Sequence, residues 1–350
     1  MIELKKITGS FQIAAVYVGT VIGAGFATGR EIVEFFTRFG FVGFIGILIS
    51  GLLFIYLGSK IMIKAHEIKA TSFEQFNEYL FGKWFSKFMN ILMMGMLLGV
   101  TAVMLSGAGA LFEEQLGFPK QVGVLLTIIL GFLTMIVGMK GLFAVNTFVV
   151  PLMIIFNVFL MLYSVRDPLF LESMFEIPYV DDGWKSVIAP FTYAAFNLAM
   201  AQAVLVPVAA EMEDIEMVKW GGYLGGALLT LILISSHLTL ITIPNVTFYE
   251  IPMAIVVKSM FSGLYIIYIL IIFGEIFTSV IGGVFGLDKQ LKNYWKGSSL
   301  VIVSFIFTFA YLLSFFEYSK LLAYLYPMFG YFSLVFMVLL WMKPSKEKFS

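Results

Sequence analysis

Long stretches without Asp, Glu, Lys or Arg are the feature that most restricts what this chain can fold into. Crossing the hydrocarbon core of a bilayer takes about 20 consecutive apolar residues, and ten stretches are near that length or longer. They lack the period-2 alternation of barrel strands, so they predict transmembrane helices. The predicted spans are Ile7–Gly29, Phe39–Ser59, Phe88–Phe112, Gln121–Met139, Gly141–Val165, Ser186–Ala210, Trp220–Tyr249, Ser259–Leu287 (interrupted only by Glu275), Gly297–Phe316 and Leu321–Met342.

The composition agrees with a lipid environment and excludes several functions. Soluble domains carry roughly 25% charged and about 45–50% apolar residues, whereas this chain has 13% charged and 60% hydrophobic residues. The absence of Cys excludes thiolate metal sites and cysteine nucleophiles, and a net charge of zero offers no nucleic-acid footprint. Metalloprotease, serine-hydrolase and P-loop motifs are absent, so the chain is not expected to be an enzyme.

The distribution of Lys and Arg predicts the orientation, because cytoplasmic loops retain basic residues. With the N-terminus inside, fifteen of the 22 basic residues fall on the cytoplasmic side, including Lys296, Lys346 and Lys348. Six fall outside, and Arg30 lies at the end of the first span. The sequence therefore predicts a multi-pass protein of the cell (inner) membrane, with both termini cytoplasmic and the lipid bilayer as its partner. The oligomeric state stays open.

The ten predicted spans divide into two halves of equal length. Residues 9–166 and 185–342 each hold five spans in 158 residues. An odd number of spans per half inserts the second half upside down, which is the inverted-repeat plan of many secondary transporters. The expected fold is an all-α membrane domain of ten helices over residues 1–350, with helices 1 and 6 broken.

The first span carries four glycines in eleven residues, Gly19, Gly23, Gly25 and Gly29. Glycine propagates helices poorly and allows close approach to the backbone, so a mid-membrane break is predicted here. A small-residue packing face is the alternative.

The sixth span holds Pro190, Asn197 and Gln202. Proline removes a helix hydrogen bond, and polar groups at this depth need partners or a cavity. This span is the expected counterpart of the break, unless Pro190 only kinks the helix and Asn197 bonds a neighbouring helix.

In the eighth span, Glu275, Thr278 and Ser279 share one helix face. A carboxyl group within a span is a functional-site candidate. Hydroxyls together with carbonyls from a broken helix form a hard oxygen shell suited to sodium, although Thr and Ser also bond harmlessly to their own helix.

The segment GTVIGAGFATGREI, Gly19–Ile32, resembles the YkvI-type bacterial membrane proteins, and the spans resemble the amino acid, polyamine and organocation transporter superfamily with the LeuT fold. The resemblance implies a sodium ion between spans one and eight, and a small-molecule substrate between spans one and six. The implied sodium ligands are the carbonyls of Gly19, Ile22 and Glu275 and the hydroxyls of Thr278 and Ser279.

The implied substrate residues are the backbone of Gly23, Ala24 and Gly25, facing Phe196, Asn197 and Leu198. No charged residue falls in this predicted pocket. Relatives in that superfamily usually have a small apolar residue at Glu275, so this carboxyl either strengthens the sodium site or carries a proton instead; we favour sodium.

The resulting prediction is a secondary active transporter of a small zwitterion, a neutral amino acid or related amine, coupled to sodium symport. The alternatives are proton coupling through Glu275 and a nutrient receptor that binds without transport. Arg30, Gln202 and His237 are gate or coupling candidates. Arg30, followed by Glu31 and Glu34, is placed at the outer gate or as a snorkelling interfacial charge, and Pro244–Lys258 is placed as an outer lid.

Overall fold

The computed structural model describes residues 2–137, 140–292, 294–295 and 297–344. Lys296, Lys346 and Lys348, used in the orientation argument, lie outside these residues, as does Met139, the predicted end of span four. Every regular element in the described ranges is helical. The α-helices are α1 Ile2–Val21, α2 Ala24–Ala27, α3 Arg30–Phe35, α4 Phe41–Leu53, α5 Ser59–Ile68, α6 Phe73–Ala110, α7 Lys120–Val137, α8 Lys140–Ser164, α9 Phe170–Phe175, α10 Lys185–Glu211, α11 Ile215–Leu240, α12 Pro252–Met260, α13 Tyr265–Leu291, α14 Ser299–Leu313 and α15 Tyr318–Met342.

Among the described residues, six helical segments are long and apolar enough to cross a bilayer. They are Phe41–Ile68, Phe73–Gln115, Lys185–Glu211, Ile215–Leu240, Ser262–Leu291 and Tyr318–Met342. Three shorter apolar helices cover Lys120–Met135, Pro151–Ser164 and Ser299–Leu313. The chain is thus an all-helical protein with multiple membrane-spanning segments, and the number of ten crossings stays a prediction.

The first span is broken where its glycines predict a break. Helix α1 ends at Val21, and Gly23 is extended, with φ −133° and ψ −170°. The short α2 follows, and Gly29 then adopts a left-handed conformation with φ 80° before α3 begins. A side chain at Gly29 would be strained, since L-residues rarely adopt such a φ.

The predicted break in the sixth span is wrong, because α10 runs without interruption from Lys185 to Glu211. This stretch contains no glycine and is rich in alanine, the strongest helix former. Its polar groups bond locally: Thr192 Oγ1 donates to the Ile188 and Ala189 carbonyls, and Asn197 Nδ2 donates to the Tyr193 carbonyl over 3.0 Å. Pro190 therefore sits in an intact helix.

Charged contacts sort to two ends of the bundle. At the amino-terminal end, Lys6 pairs with Asp214 at 2.8 Å and Lys60 Nζ donates to the Trp341 carbonyl. At the other end, here called the lid end, Arg38 pairs with Asp182 at 3.2 Å. Loops that were predicted to share one side of the membrane therefore lie at the same end of the bundle.

Helix α11 packs closely between the first two spans because glycines lie on two of its faces. A Cβ on Gly225 would lie 2.6 Å from Tyr17 Cδ1 of α1, and one on Gly226 would lie 2.6 Å from the backbone Cα of Ile55. Small residues of this kind let membrane helices approach closely. The packing holds the broken span against the rest of the bundle.

We expect Gly226→Ala to destabilise the protein by about 1–3 kcal/mol, since the added methyl meets backbone that must shift. Thermal unfolding in detergent measures the effect. Gly95→Ala is the matched control, because a Cβ there meets nothing within 4 Å. Equal melting temperatures for the two variants would contradict the close packing.

Candidate functional site

The break in the first span is attached to α13 by two hydrogen bonds. The backbone N–H of Ala24 donates to Ser279 Oγ over 3.3 Å, and Tyr268 OH donates to the Ala27 carbonyl over 3.4 Å. A Cβ on Gly23 would lie 3.4 Å from Ser279 Oγ, in ordinary van der Waals contact with it. Spans one and eight therefore meet at the break.

The predicted cation ligands are brought together only in part. Because Gly23 is extended, its N–H makes no helical bond to the Gly19 carbonyl, which leaves that oxygen without its usual partner. Ser279 contacts the break through its hydroxyl. Ile22, whose carbonyl is also a predicted ligand, lies between the end of α1 and Gly23. Thr278 Oγ1 donates to the Glu275 carbonyl of its own helix over 3.2 Å. This intrahelical bond is the alternative to ion coordination that the sequence left open for this hydroxyl.

Glu275 lies one turn before Ser279 and is deeply buried, at 2% exposure. Its Oε1 has no hydrogen-bond partner among the described residues. Within those residues there is also no group of three or more His, Cys, Asp or Glu able to hold a metal ion. Oxygen ligands for a cation at the break would thus come from carbonyls, hydroxyls and single carboxyl groups rather than from such a cluster.

The substrate residues predicted on α10 are all buried: Phe196, Asn197 and Leu198. The ring of Phe196 packs on Tyr326 of α15, with centroids 4.8 Å apart. Of the three predicted residues in the break, Ala24 and Gly23 face α13, as described above, and Gly25 faces Glu31 of α3.

Glu31 is the residue that changes the predicted pocket. A Cβ on Gly25 would lie 2.4 Å from Glu31 Oε2, and the side chains of Tyr193 and Asn197 lie near the carboxyl. Glu31 is 6% exposed. The expectation that no charged residue lies in the pocket is therefore wrong, because the left-handed turn at Gly29 directs the start of α3 back over α2. That glycine, two residues before Glu31, is the signal in the sequence that could have indicated this placement.

Arg30 is buried rather than snorkelling. Its Nη1 donates to the Thr247 and Tyr249 carbonyls over 2.6 and 3.1 Å, and the side chain is 9% exposed. These carbonyls belong to the segment 246–260, called the lid, which comprises a 3-10 turn and α12. This segment overlaps Pro244–Lys258, the predicted outer lid, and its position on the outer side of the membrane stays a prediction.

The lid is fixed from several directions. The backbone N–H of Met253 donates to the Thr28 carbonyl over 3.0 Å, directly beside the break. Glu114 accepts from the Ile251 N–H over 2.8 Å, and Glu250 accepts from the Ser319 N–H over 2.7 Å. The lid thus joins the first span to the ends of α6 and α15.

The other two gate candidates make contacts away from the break. Gln202 is buried and its Nε2 donates to the Met93 sulfur over 3.2 Å. His237 is buried, with Nδ1 at 3.2 Å from Thr37 Oγ1 and its ring stacked on Phe44. His237 Nε2 has no partner among the described residues.

No protein-family profile matches the chain. Two proteins of Bacillus subtilis (strain 168) are similar over nearly the full length of both chains. The uncharacterized membrane protein YkvI is 48% identical over 338 residues, covering 96% of each chain. The uncharacterized protein YyaD is 24% identical over 337 residues, covering 95% of this chain and 96% of its own.

Among solved structures, the manganese transporter of Eremococcus coleocola has the same fold. A variant of it superposes with a TM-score of 0.64 at 15% identity, covering 95% of this chain and 78% of the transporter. Its complex with an aromatic bis-isothiourea substituted compound gives a TM-score of 0.60. At this identity the likeness concerns the fold alone. The 48% identity to YkvI over nearly the whole length shows the family, and the chain belongs to the YkvI-type bacterial membrane proteins.

Proposed function

We propose that this protein is a secondary active transporter that exposes a site at the break of the first span alternately to the two sides of the membrane. The break carries the proposal, because it presents backbone groups and buried carboxyls between α10 and α13. Transporters of this kind place substrate and ions at such discontinuous helices. The fold shared with a solved transporter, rather than an enzyme, supports the proposal.

The helix packing supports a ten-span inverted repeat in which each span of the first half corresponds to the span five places later. Helix α1 packs on α11, and correspondingly α10 packs on α5. The packing of α6 on α14 has its counterpart in the packing of α13 on α7. The packing of α6 on α15 likewise has its counterpart in the packing of α13 on α8. The intact α10 departs from strict symmetry, since only the first span is broken. With the amino-terminal end cytoplasmic, the lid covers the outer side of the site.

The proposed substrate is a small zwitterion, a neutral amino acid or related amine, and the proposed coupling ion is sodium. Oxygens of the α1 end, the Glu275 carbonyl and the Thr278 and Ser279 hydroxyls supply the hard ligands that sodium prefers. Proton coupling through Glu275 and a receptor without transport are the alternatives. The solved neighbour is a manganese transporter, and among the described residues of this chain no group of three or more His, Cys, Asp or Glu could hold such an ion.

Uptake into proteoliposomes tests the proposal. We expect a mixture of labelled amino acids and organic amines to show accumulation of at least one member under an inward sodium gradient, lost when the gradient is collapsed. Accumulation driven only by a proton gradient would transfer the coupling role to Glu275. Saturable binding without accumulation would identify a receptor instead.

The double variant Thr278→Ala with Ser279→Ala tests the cation site. We expect the sodium concentration for half-maximal uptake to rise roughly ten-fold, equivalent to about 1.4 kcal/mol, because two oxygen ligands are removed. Ser304→Ala with Thr308→Ala is the matched control: these exposed hydroxyls of α14 bond only their own helix. Unaltered sodium stimulation in the first variant would exclude this site.

Arg30→Gln tests the lid as the outer gate. Since the chain has no Cys, Met253→Cys gives a single reporter on the face of the lid that packs against Gly29. We expect Arg30→Gln to raise its labelling rate by a membrane-impermeant maleimide about ten-fold or more, because two hydrogen bonds from a charged donor are lost. Arg38→Gln, whose partners are Glu34 and Asp182, is the control. Equal rates would show that Arg30 does not hold the lid.

A further inference from the structure

We propose that Glu31 binds the cationic ammonium group of the substrate and so restricts the transported class to amines and amino acids with a free ammonium group. The inference rests on the proposed function and assigns a role to a carboxyl that the sequence pattern placed at the outer gate. Its support is the position of the Glu31 carboxyl, the side chains around it and the absence of an ion-pair partner among the described residues.

The carboxyl of Glu31 lies against the break itself. Its Oε2 occupies the space that a side chain on Gly25 would need, at 2.4 Å from the ideal Cβ position. The left-handed Gly29, with φ 80°, makes this placement possible by reversing the direction of the chain between α2 and α3. A substrate held at the break would therefore meet this carboxyl.

The charge of Glu31 is not balanced by the protein. The residue is 6% exposed, and it has no ion-pair partner among the side chains that the structure describes. Its neighbour Arg30 is directed to the lid carbonyls, and Arg38 pairs with Glu34 and Asp182. A buried carboxylate without a counter-charge is unfavourable, so a cationic ligand would be bound strongly here.

The surrounding side chains suit an ammonium group. Tyr193 and Asn197 of α10 lie near the carboxyl. Tyr326 lies in the same region, and its ring packs on Phe196 with centroids 4.8 Å apart. Aromatic rings close to a bound cation attract it through the ring quadrupole. The arrangement therefore favours a positively charged nitrogen over a carboxylate at this end of the pocket.

The test compares ligand classes on the purified full-length protein. Binding and proteoliposome uptake are measured with labelled amino acids, with amines that lack a carboxylate, and with carboxylic acids that lack an amine. Wild-type protein should take ligands only from the first two classes. Glu31→Gln should weaken binding of these ligands roughly ten-fold or more, since a charge-assisted contact is lost.

Two further variants separate binding from folding. Glu31→Asp keeps the charge and should retain part of the affinity, whereas Glu113→Gln makes the same chemical change at an exposed position and should leave binding unchanged. The melting temperature without ligand shows whether each variant is folded. If Glu31→Gln does not fold, Gly25→Ala, which displaces the carboxyl, takes its place with the same expected loss.

The outcomes distinguish the inference from the proposed function. Wild-type affinity for amine ligands in folded Glu31→Gln, or equal binding of the acids without an amine, overturns the role of Glu31 and leaves transport intact. Ammonium-selective binding that is lost in Glu31→Gln, but without uptake by wild-type protein, supports Glu31 and overturns transport. Failure of wild-type protein to bind or transport any of the three classes overturns both.

Discussion

The need to pair backbone groups away from water determines how this protein is built around its first span. An intact helix satisfies its own N–H and C=O groups, but a break inside the membrane frees several of them. Here three of the freed groups have partners on other elements: Ser279 of α13 accepts from Ala24, Tyr268 of α13 donates to Ala27, and Met253 of the lid donates to Thr28. Tyr318 of α15 also hydrogen-bonds the Thr28 hydroxyl. The break is therefore the point at which α13, α15 and the lid are joined.

The same requirement explains why the first span breaks and the sixth does not. Gly23 and Gly29 cost little to place in extended and left-handed conformations, and α13 and the lid supply partners for backbone groups between them. In α10, alanines favour the helix and the Thr192 and Asn197 side chains bond carbonyls of their own helix. A proline alone removes one hydrogen bond, which a helix with such local compensation tolerates.

The sequence was sufficient to predict features that depend on local pattern. The apolar segments and the break at Gly23 follow from composition and glycine spacing, whereas the meeting of Ser279 with the break was implied by the resemblance to LeuT-fold transporters. The placement of Arg30 and Glu31 was beyond such reasoning. Charges at the end of an apolar stretch normally lie at the interface, and only the turn at Gly29 directs one of them to the pocket and the other to the lid carbonyls. The predicted break in α10 was wrong because it rested on Pro190 and Asn197 without the hydrogen bonds that the folded helix provides.

Two buried carboxyls belong to the elements that meet at the break, and they bear on the proposed coupling. Glu275 belongs to α13, on the side where Ser279 meets Ala24, and Glu31 belongs to α3, against Gly25. Within the described side chains neither carboxyl has an ion-pair partner. If both proposed ligands bind, a sodium ion at the oxygens around Ser279 and an ammonium group at Glu31 would both favour the arrangement in which α2 contacts α13 and α3. Each ligand shifts the equilibrium only through its preference for that arrangement, so the affinity of one rises when the other is bound.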